Sequence, residues 1–598
     1  PGQFFFMPGA GRKGSGSFYT PLPLVRDLVD HAMGPFVYGK TTAEIESLRV
    51  LDPSCGSAHF LVEAMRFLGR ELHRAYVQEY KGKAPPAFTH GVWDSDWKVD
   101  DAVARAANSE ARAWCKRRVA ERCLFGVDYN PTAASLARVA LWIESLAGDR
   151  PLSYFEHHVR CGNSLLGTWL ERLDKSPHPG LEDILLAQDD LFRASPVHIE
   201  EARKAVREAA KNRLLIDHGA EAGMEPDSIE ELEFKEGRKR EADVLLADAR
   251  LLFDLRSAAG FLPVIWGDWS TLCSLLGSAG KLGDHAAKQP WWAAFQTIQG
   301  RERFFHWELE FPEVFLDEKR PGFDVILGNP PWEKIKPDRK EFYGAHDVLI
   351  RAFVGGDLDS RIDELAREHP GLDHEFELYE QRITALVSCL KKGGDYRFQD
   401  WKIGERATGG DPDLFKFFTE RAWRLLRPGG RAGLVLPSAL YNNEGATGLR
   451  RMILDESQVE RFYAFENRQD IFPIHRSYRF INLVFRKGKP DRDGFEAAFM
   501  RLNVEELSSK EPKTWMVPVR RTELERLSPG TFAFLEFRSP RDREILLKMY
   551  EGRSLLKDSG PGTWNVEFYG EFHLSNDKDL WTDSHGKLYT AQKIIGKE

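Results

Sequence analysis

Short apolar runs that break off at a polar residue recur along the chain. Leu48-Arg-Val-Leu51 ends at Asp52, Cys123-Leu-Phe-Gly126-Val127 ends at Asp128, and Phe323-Asp-Val-Ile-Leu327 is halted by Gly328 and Asn329. Runs this short, bounded by small or turn-forming residues, predict buried strands of a parallel sheet. Helices are predicted to open after the first two strand ends, beyond the small-residue loop at Gly56-Ser57 and at Pro131. A third polar strand end is predicted at Cys161-Gly162-Asn163-Ser164-Leu165-Leu166-Gly167, and Arg424 to Pro437 reads as a helix end, a tight turn and a strand. Strands alternating with helices predict an α/β fold with a doubly wound sheet.

Between these runs the period changes from two to that of a helix. Ile199 to Lys211 and Glu241 to Phe253 place apolar residues at helical spacing with opposed charges between them, which predicts a helical arm inserted at 170–304. A second, mostly helical insertion is predicted near 340–410, punctuated at Gly355-Gly356, Pro370-Gly371 and Gly393-Gly394. Either arm could clamp a nucleic acid or bind a partner. Arg486 to Gly494 forms a charged linker, and beyond it Trp564–Tyr569 and Leu580–Tyr589 are predicted as strands. The resulting division is 1–169, 170–304, 305–488 and 489–598, with no internal repeat or long low-complexity segment.

Composition narrows the class. A chain of 598 residues with 42% hydrophobic content can bury several cores. The six cysteines, at 55, 115, 123, 161, 273 and 389, show neither C-x-x-C nor Cys/His zinc spacing, so a reducing compartment and no metal are expected. No apolar run reaches the ~18 residues of a membrane span, so a cytoplasmic protein without a membrane partner is expected. The formal charge of −8 argues mildly against a general nucleic-acid coat. Electrostatic footprints are local, however, and Lys334, Lys336, Arg339 and Lys340 follow Asn329 closely, which makes them candidate DNA contacts. Lys402, Arg406, Lys416, Arg421 and Arg424 form a looser second basic region.

The candidate chemistry lies at the strand ends. In Asn329-Pro330-Pro331-Trp332 two prolines hold the chain open after a strand, leaving a side-chain amide, the Pro330 carbonyl and a flat indole together. Asn329 Oδ1 and the Pro330 carbonyl could each accept one hydrogen of an exocyclic amine, turning its lone pair toward an electrophile, while Trp332 stacks on the base. Upstream, Asp52-Pro-Ser54-Cys-Gly56 reads as a loop that lets backbone approach a ligand. It lacks both Gly-x-Gly-x-x-Gly and the Lys-Ser/Thr of a Walker loop, so a nucleoside without phosphates suits it better than ATP or NAD. Asp128 stands where an acid can take ribose hydroxyls.

These motifs, in this order, resemble the S-adenosylmethionine-dependent N6-adenine DNA methyltransferases of the gamma arrangement. The resemblance covers residues 17–167 and 306–486. It implies a Rossmann-like class I methyltransferase sheet with helical insertions and the start of a C-terminal target-recognition domain. It further implies a donor site formed by Tyr19, Thr20 and Pro21 near the methionine end, with Asp52, Ser54, Gly56, Asp128, Tyr129, Asn163 and Ser164 completing it. Asn163 departs from the Asp that many relatives carry, and Trp332 replaces the commoner Tyr or Phe. Asn329 to Trp332 are implied to be catalytic, and Phe472, in Phe465 to Phe480, is implied to supply a second stacking face. The run Phe305 to Phe315 is similar to the large single-chain methylases of type IIG and to phage-defence methylases of the BREX and DISARM kinds. No Pro-Asp…Glu-x-Lys segment precedes the first motif, so nuclease activity is not expected of this chain. The expected reaction is methyl transfer to a flipped adenine in double-stranded DNA, in a restriction-modification or phage-defence system that could include further protein subunits. The other readings are a protein-glutamine or RNA methyltransferase and a non-catalytic scaffold.

Overall fold

The structure is a computed structural model that describes residues 19–88, 91–95, 109–145, 155–173, 196–217, 229–276, 280–317, 319–508, 514–554, 563–564 and 566. The chain divides into two compact units, Pro1–Ser539 and Pro540–Glu598. In the second unit the described element is one helix, Pro540–Tyr550. The strands predicted at 564–569 and 580–589 lie almost wholly outside the described residues.

The first unit is built on one sheet. In chain order its strands are β1 (Val50–Asp52), β2 (Leu124–Asp128), β3 (Val159–Cys161), β4 (Phe323–Gly328), β7 (Leu426–Pro437), β8 (Ser457–Glu466), β9 (Arg479–Lys487), β10 (Phe495–Arg501) and β11 (Val517–Val519); β5 (Lys402–Ile403) and β6 (Arg406–Ala407) form a separate hairpin. The sheet order is β11-β10-β8-β9-β7-β4-β1-β2-β3. From β3 to β7 all pairings are parallel, and β9 runs antiparallel between β7 and β8. The stretch from β3 through β8 is the Rossmann-like methyltransferase sheet expected from the sequence.

Side chains of the central strands alternate between two cores, as a pleated strand requires. Val50, Val325 and Leu327 enter one core, while Leu51 and Ile326 enter the other; an irregularity between Phe323 and Val325 sends Phe323 to that second core as well. Both faces are therefore covered by helices, which explains why β1 and β4 read as continuous apolar runs rather than as alternating ones. Helix Leu22–Val37 lies against β7 and β9, and it is fixed there by its buried Asp27. That carboxylate accepts Nε of Arg461 and Nδ2 of Asn482, each at 2.8 Å.

Both insertions have cores of their own. The expected arm contains helices Pro196–Asp217 and Ile229–Ala259, which enclose the predicted helical stretches and pack on each other around Phe253, Trp266, Trp269 and Phe295. A buried relay ties this arm to the sheet. The Thr168 amide donates to His306 Nδ1 (2.9 Å), so the proton must sit on Nε2, which donates to Asp254 Oδ1 (2.8 Å). The second insertion carries helices Gly356–Glu368 and Leu372–Lys392 over a small core of Tyr343, Ile350, Ile362, Leu365 and Leu372.

The region after residue 488 differs from the sequence expectation. β10 pairs parallel to β8, and β11 pairs antiparallel to β10, so both extend the methyltransferase sheet. Phe495, Ala497 and Phe499 enter the same core as Leu51 and Ile326. Apolar burial thus carries the sheet past the charged linker.

Candidate active site

Chain order places a crevice at the carboxyl ends of β1 and β4. The chain winds outward from β1 to β2 and β3, then returns through β4 and winds the other way, and ligands of doubly wound sheets bind where that reversal falls. A cavity of about 340 Å³ occupies this place. Its walls include Tyr19, Thr20, Asp52, Ser54, Gly56 and Asp128 on one side, with Tyr129, Asn163, Ser164, Asn329 and Pro331 completing the ring.

The loop after β1 is shaped by backbone bonds. The Cys55 amide donates to Val127 O (3.0 Å), the Ser54 amide to Asp52 Oδ1 (3.0 Å), and the Gly56 amide to Asp128 Oδ2 (2.8 Å). Gly56 holds φ +53° with open space where a Cβ would stand, so the glycine serves backbone conformation and leaves the cavity clear. Ser164 Oγ donates to Pro53 O at 2.5 Å and ties the loop after β3 to the loop after β1.

Two carboxyl groups dominate the electrostatics. Asp52 is 2% exposed, and burial pushes its carboxyl up to about 8; the Ser54 amide opposes this and the nearby Asp128 adds to it. Asp128 is also raised by burial, against the amides of Asn130 and Gly56. No ion pair involving Asp52 or Asp128 occurs among the described residues. The cavity therefore offers carboxyl groups that no cation of the protein pairs with, which suits hydroxyl and cationic groups and gives a phosphate no positive partner.

Asn329 faces this acid from β4. Its Nδ2 donates to Thr20 Oγ1 (3.2 Å), and its Oδ1 is buried without a partner. Thr20 is positioned because Pro21 N-caps the anchored helix Leu22–Val37. Pro21 and Pro330 do not line the cavity; they set the backbone beside it. Asn163 Oδ1 accepts the Leu165 amide (3.1 Å) in a turn of its own loop, so the group this side chain keeps free for a ligand is the Nδ2 donor. Tyr19, at 65% exposed, stands at the rim against His59, with ring centroids 4.3 Å apart. The Tyr129 hydroxyl donates to Arg301 O (2.8 Å), and the Arg303 guanidinium covers its ring.

The aromatic faces depart from expectation. Trp332 is partly buried with its Nε1 lacking a partner, and Phe472, only 1% exposed, meets it edge-on at 5.9 Å and 65°. Phe480 packs 4.9 Å from Phe472 and 6.4 Å from Trp332. Phe472 thus backs Trp332 from the core and does not frame an open slot with it. Close packing explains the difference, because Phe465, Phe472 and Phe480 together fill the space below β9.

Of the basic residues after the motif, Lys334 and Arg339 are held in surface ion pairs. Lys334 bonds Asp411, Arg339 bonds Asp359 at 2.7 Å, and Lys340 Nζ reaches Arg351 O at 3.5 Å, whereas Lys336 is exposed. The looser second region is divided, with Lys402 and Arg406 exposed. Lys416 and Arg421 are buried, Arg424 pairs with Glu171 and Asp395, and Arg406 pairs with Glu444. His475 is an exposed loop residue hydrogen-bonded to Ser477 (2.7 Å).

Among the cavity residues that the sequence did not mark as site residues are His59 and Phe418. His59 opens the helix after the Gly56 loop; burial lowers its pKa, and its Nε2 is buried without a partner. Its place three residues after Gly56, at a helix start, was the available signal. Phe418 enters from helix Leu414–Leu425, beyond the second insertion, and no local pattern marks it.

A methyltransferase sheet, an acid-lined nucleoside-sized cavity and an amide poised at its edge define the class. Over residues 122–350 and 390–472, just over half of its length, the chain matches the family model of the Eco57I restriction-modification methylases, and it belongs to that family. Residues 7–175 match the family model of the N-6 DNA methylases. A type II restriction enzyme and methyltransferase of Methanocaldococcus jannaschii is 25% identical over 330 residues, covering 51% of this chain and 24% of that relative. The type II restriction enzyme and methyltransferase RM.Eco57I of Escherichia coli is 26% identical over 186 residues, covering 30% and 16%. The chain thus spans less than a quarter of the length of either relative in alignment. Among solved structures, a DrdV–DNA complex is similar with a TM-score of 0.36 and 11% identity, covering 88% of this chain and 32% of that one. No helix among the described residues is long and apolar enough to cross a membrane, and no cluster of His, Cys, Asp and Glu among them could hold a metal ion.

Proposed function

We propose that this chain transfers a methyl group from S-adenosylmethionine to N6 of an adenine flipped out of double-stranded DNA, in the cytoplasm, as part of a restriction-modification or phage-defence system. The observation that carries the reading is Asn329 Oδ1, an acceptor buried without a partner at the edge of an acid-lined cavity. A buried acceptor left open costs roughly 1–3 kcal/mol, so its retention at a strand end points to a ligand hydrogen.

The cavity fits the donor on the chemistry of its walls. Asp128 and Asp52 offer carboxylates to ribose hydroxyls and to the cationic amino-acid end, Asn163 offers its Nδ2 toward the donor's base, and the short loop at Ser54 and Gly56 leaves room for the nucleoside. Bound there, the donor supplies an electrophilic methyl carried by a sulfonium, which departs as a thioether.

The protein's own work is on the amine. Asn329 Oδ1 and the Pro330 carbonyl each accept one hydrogen, so the nitrogen lone pair turns from the ring toward the donor side of the cavity, and the methylated nitrogen then gives up one of those hydrogens as a proton to water. Trp332 supports the face of the extruded base, returning ~1–3 kcal/mol of the unstacking cost. Phe472 and Phe480 hold the indole from behind. The two halves that build the site are residues 1–169 and 305–488, and Lys334, Lys336, Arg339 and Lys340 follow the catalytic turn to meet DNA phosphates. Further subunits of a defence complex would dock outside this site.

The test is transfer of labelled methyl to mixed-sequence duplex DNA, with nucleoside analysis of the product. N6-methyladenine is expected from the intact chain. Asn329→Ala should lower kcat by about 10²–10³-fold while leaving donor affinity unchanged. Label appearing in RNA or protein, and not in DNA, would overturn the substrate; donor binding without transfer to any of the three would overturn the enzyme.

A further inference from the structure

The Asn329 amide is chemically two-ended, and the proposed reaction can use only one end. Oδ1 accepts a hydrogen of the target amine, whereas an amide rotated by 180° would oppose its own N–H to that amine. In the structure Nδ2 is engaged by Thr20 Oγ1 across 3.2 Å, from a residue 309 positions earlier in sequence, and Oδ1 is left open and buried.

Thr20 is itself tightly placed. It is 3% exposed and directly precedes Pro21, the N-cap of the helix that Asp27 fixes to β8 and β9. His59 adds a contact to the Thr20 backbone, and Tyr19 packs on the His59 ring. A hydroxyl in so fixed a place sets where the amide nitrogen can find an acceptor. The hydroxyl could also donate to a rotated amide, but Nδ2 would then be buried against the incoming amine with no acceptor.

We propose that Thr20 is a positioning residue for methyl transfer: its hydroxyl oxygen takes an amide hydrogen of Asn329 and so keeps Oδ1 turned to the target amine. This rests on the reading of Asn329 as the amine acceptor. Thr20 acts on the reaction through Asn329 and adds to any contact it makes with the donor.

The test compares Thr20→Val, which keeps the shape and removes the acceptor, with Thr20→Ser, which keeps the acceptor. At saturating donor, Thr20→Val should lower kcat about ten- to a hundred-fold, a loss larger than any change in donor affinity measured by calorimetry; Thr20→Ser should restore most of the rate. In an Asn329→Asp background either carboxylate oxygen can face the amine, so Thr20→Val should there have little further effect. A second readout needs no turnover. In asparagine-labelled protein, the Asn329 side-chain amide resonances, identified by their loss in Asn329→Asp, should exchange with solvent slowly in the wild-type chain and at least tenfold faster in Thr20→Val. Unchanged exchange, an unchanged kcat, or a fall in donor affinity that accounts for the whole loss would each overturn the proposal. Absence of transfer to DNA by the wild-type chain would instead overturn the reaction, and the amide exchange would still decide whether Thr20 restrains Asn329.

Discussion

Asp52 is an almost wholly buried carboxyl group in the cavity wall, and its titration should couple the site to the stability of the whole chain. Its pKa is raised to about 8, from a usual value near 4, chiefly by burial. Between those values the folded protein holds a proton that the unfolded chain has lost, so stability falls as pH rises through this window. Asp128, also raised, adds in the same direction. The midpoint of thermal unfolding of the donor-free protein should therefore decrease from pH 5 to pH 8, and Asp52→Asn should flatten the decrease. A cationic donor favours the ionised acid, so its binding near pH 7 should release part of a proton. Calorimetric titrations in two buffers of different ionisation heat would then give different apparent enthalpies, and equal enthalpies would remove Asp52 from contact with the donor's charge. Asp52, Asp128 and Asn329 were legible in the sequence because each ends an apolar strand, a relation carried by neighbours in the chain. Phe472 and the Asn163 oxygen were less so. What they touch is settled by Phe480 and by the Leu165 amide, and residue type does not encode those contacts.

At the scale of elements, period was the reliable signal and composition the misleading one. The helical spacing at 199–211 and 241–253 lies inside real helices, because an amphipathic face must find a partner to be stable. The charged stretch 486–494 looked like a boundary, yet β10 resumes the sheet directly after it, since Phe495, Ala497 and Phe499 alternate as a half-buried strand does. A join between elements gives a sharper test. Gly167, in the loop after β3, lies so close to the next segment that an added Cβ would stand 2.0 Å from Phe305 O. Backbone on both sides leaves little room to yield, and Leu166 O accepts the Phe305 amide at 2.7 Å. Gly167→Ala should destabilise the first unit by roughly 2 kcal/mol or more, seen as a lower denaturant midpoint. Gly267→Ala, where a Cβ meets nothing within 4 Å, is the matched control. Equal midpoints for the two variants would show that this junction is not held as closely as the packing indicates.

For the whole molecule, the proposed substrate sets a chain of formal charge −8 against a polyanion. Its acid is unevenly spread. Residues 356–380 hold nine carboxylates against two arginines, and all nine are exposed. A duplex laid on this helical insertion would be repelled within a Debye length of ~8–10 Å, so the insertion is a poor clamp despite following the Asn329–Trp332 turn. The turn itself carries Lys334, Lys336, Arg339 and Lys340, of which Lys334 and Arg339 are held by Asp411 and Asp359. Such exposed pairs contribute only ~0–1 kcal/mol, little enough for a phosphate to displace the carboxylate. DNA affinity should therefore fall steeply with salt, and Lys336→Ala should reduce the slope of log K against log salt by about 1. Asp411→Asn should act oppositely on affinity, tightening binding by releasing Lys334 at no cost to the cavity. Fluorescence anisotropy on one mixed-sequence duplex at several salt concentrations reads both effects. A slope unchanged in Lys336→Ala, together with weaker binding in Asp411→Asn, would move the DNA path away from this turn and onto another face of the molecule.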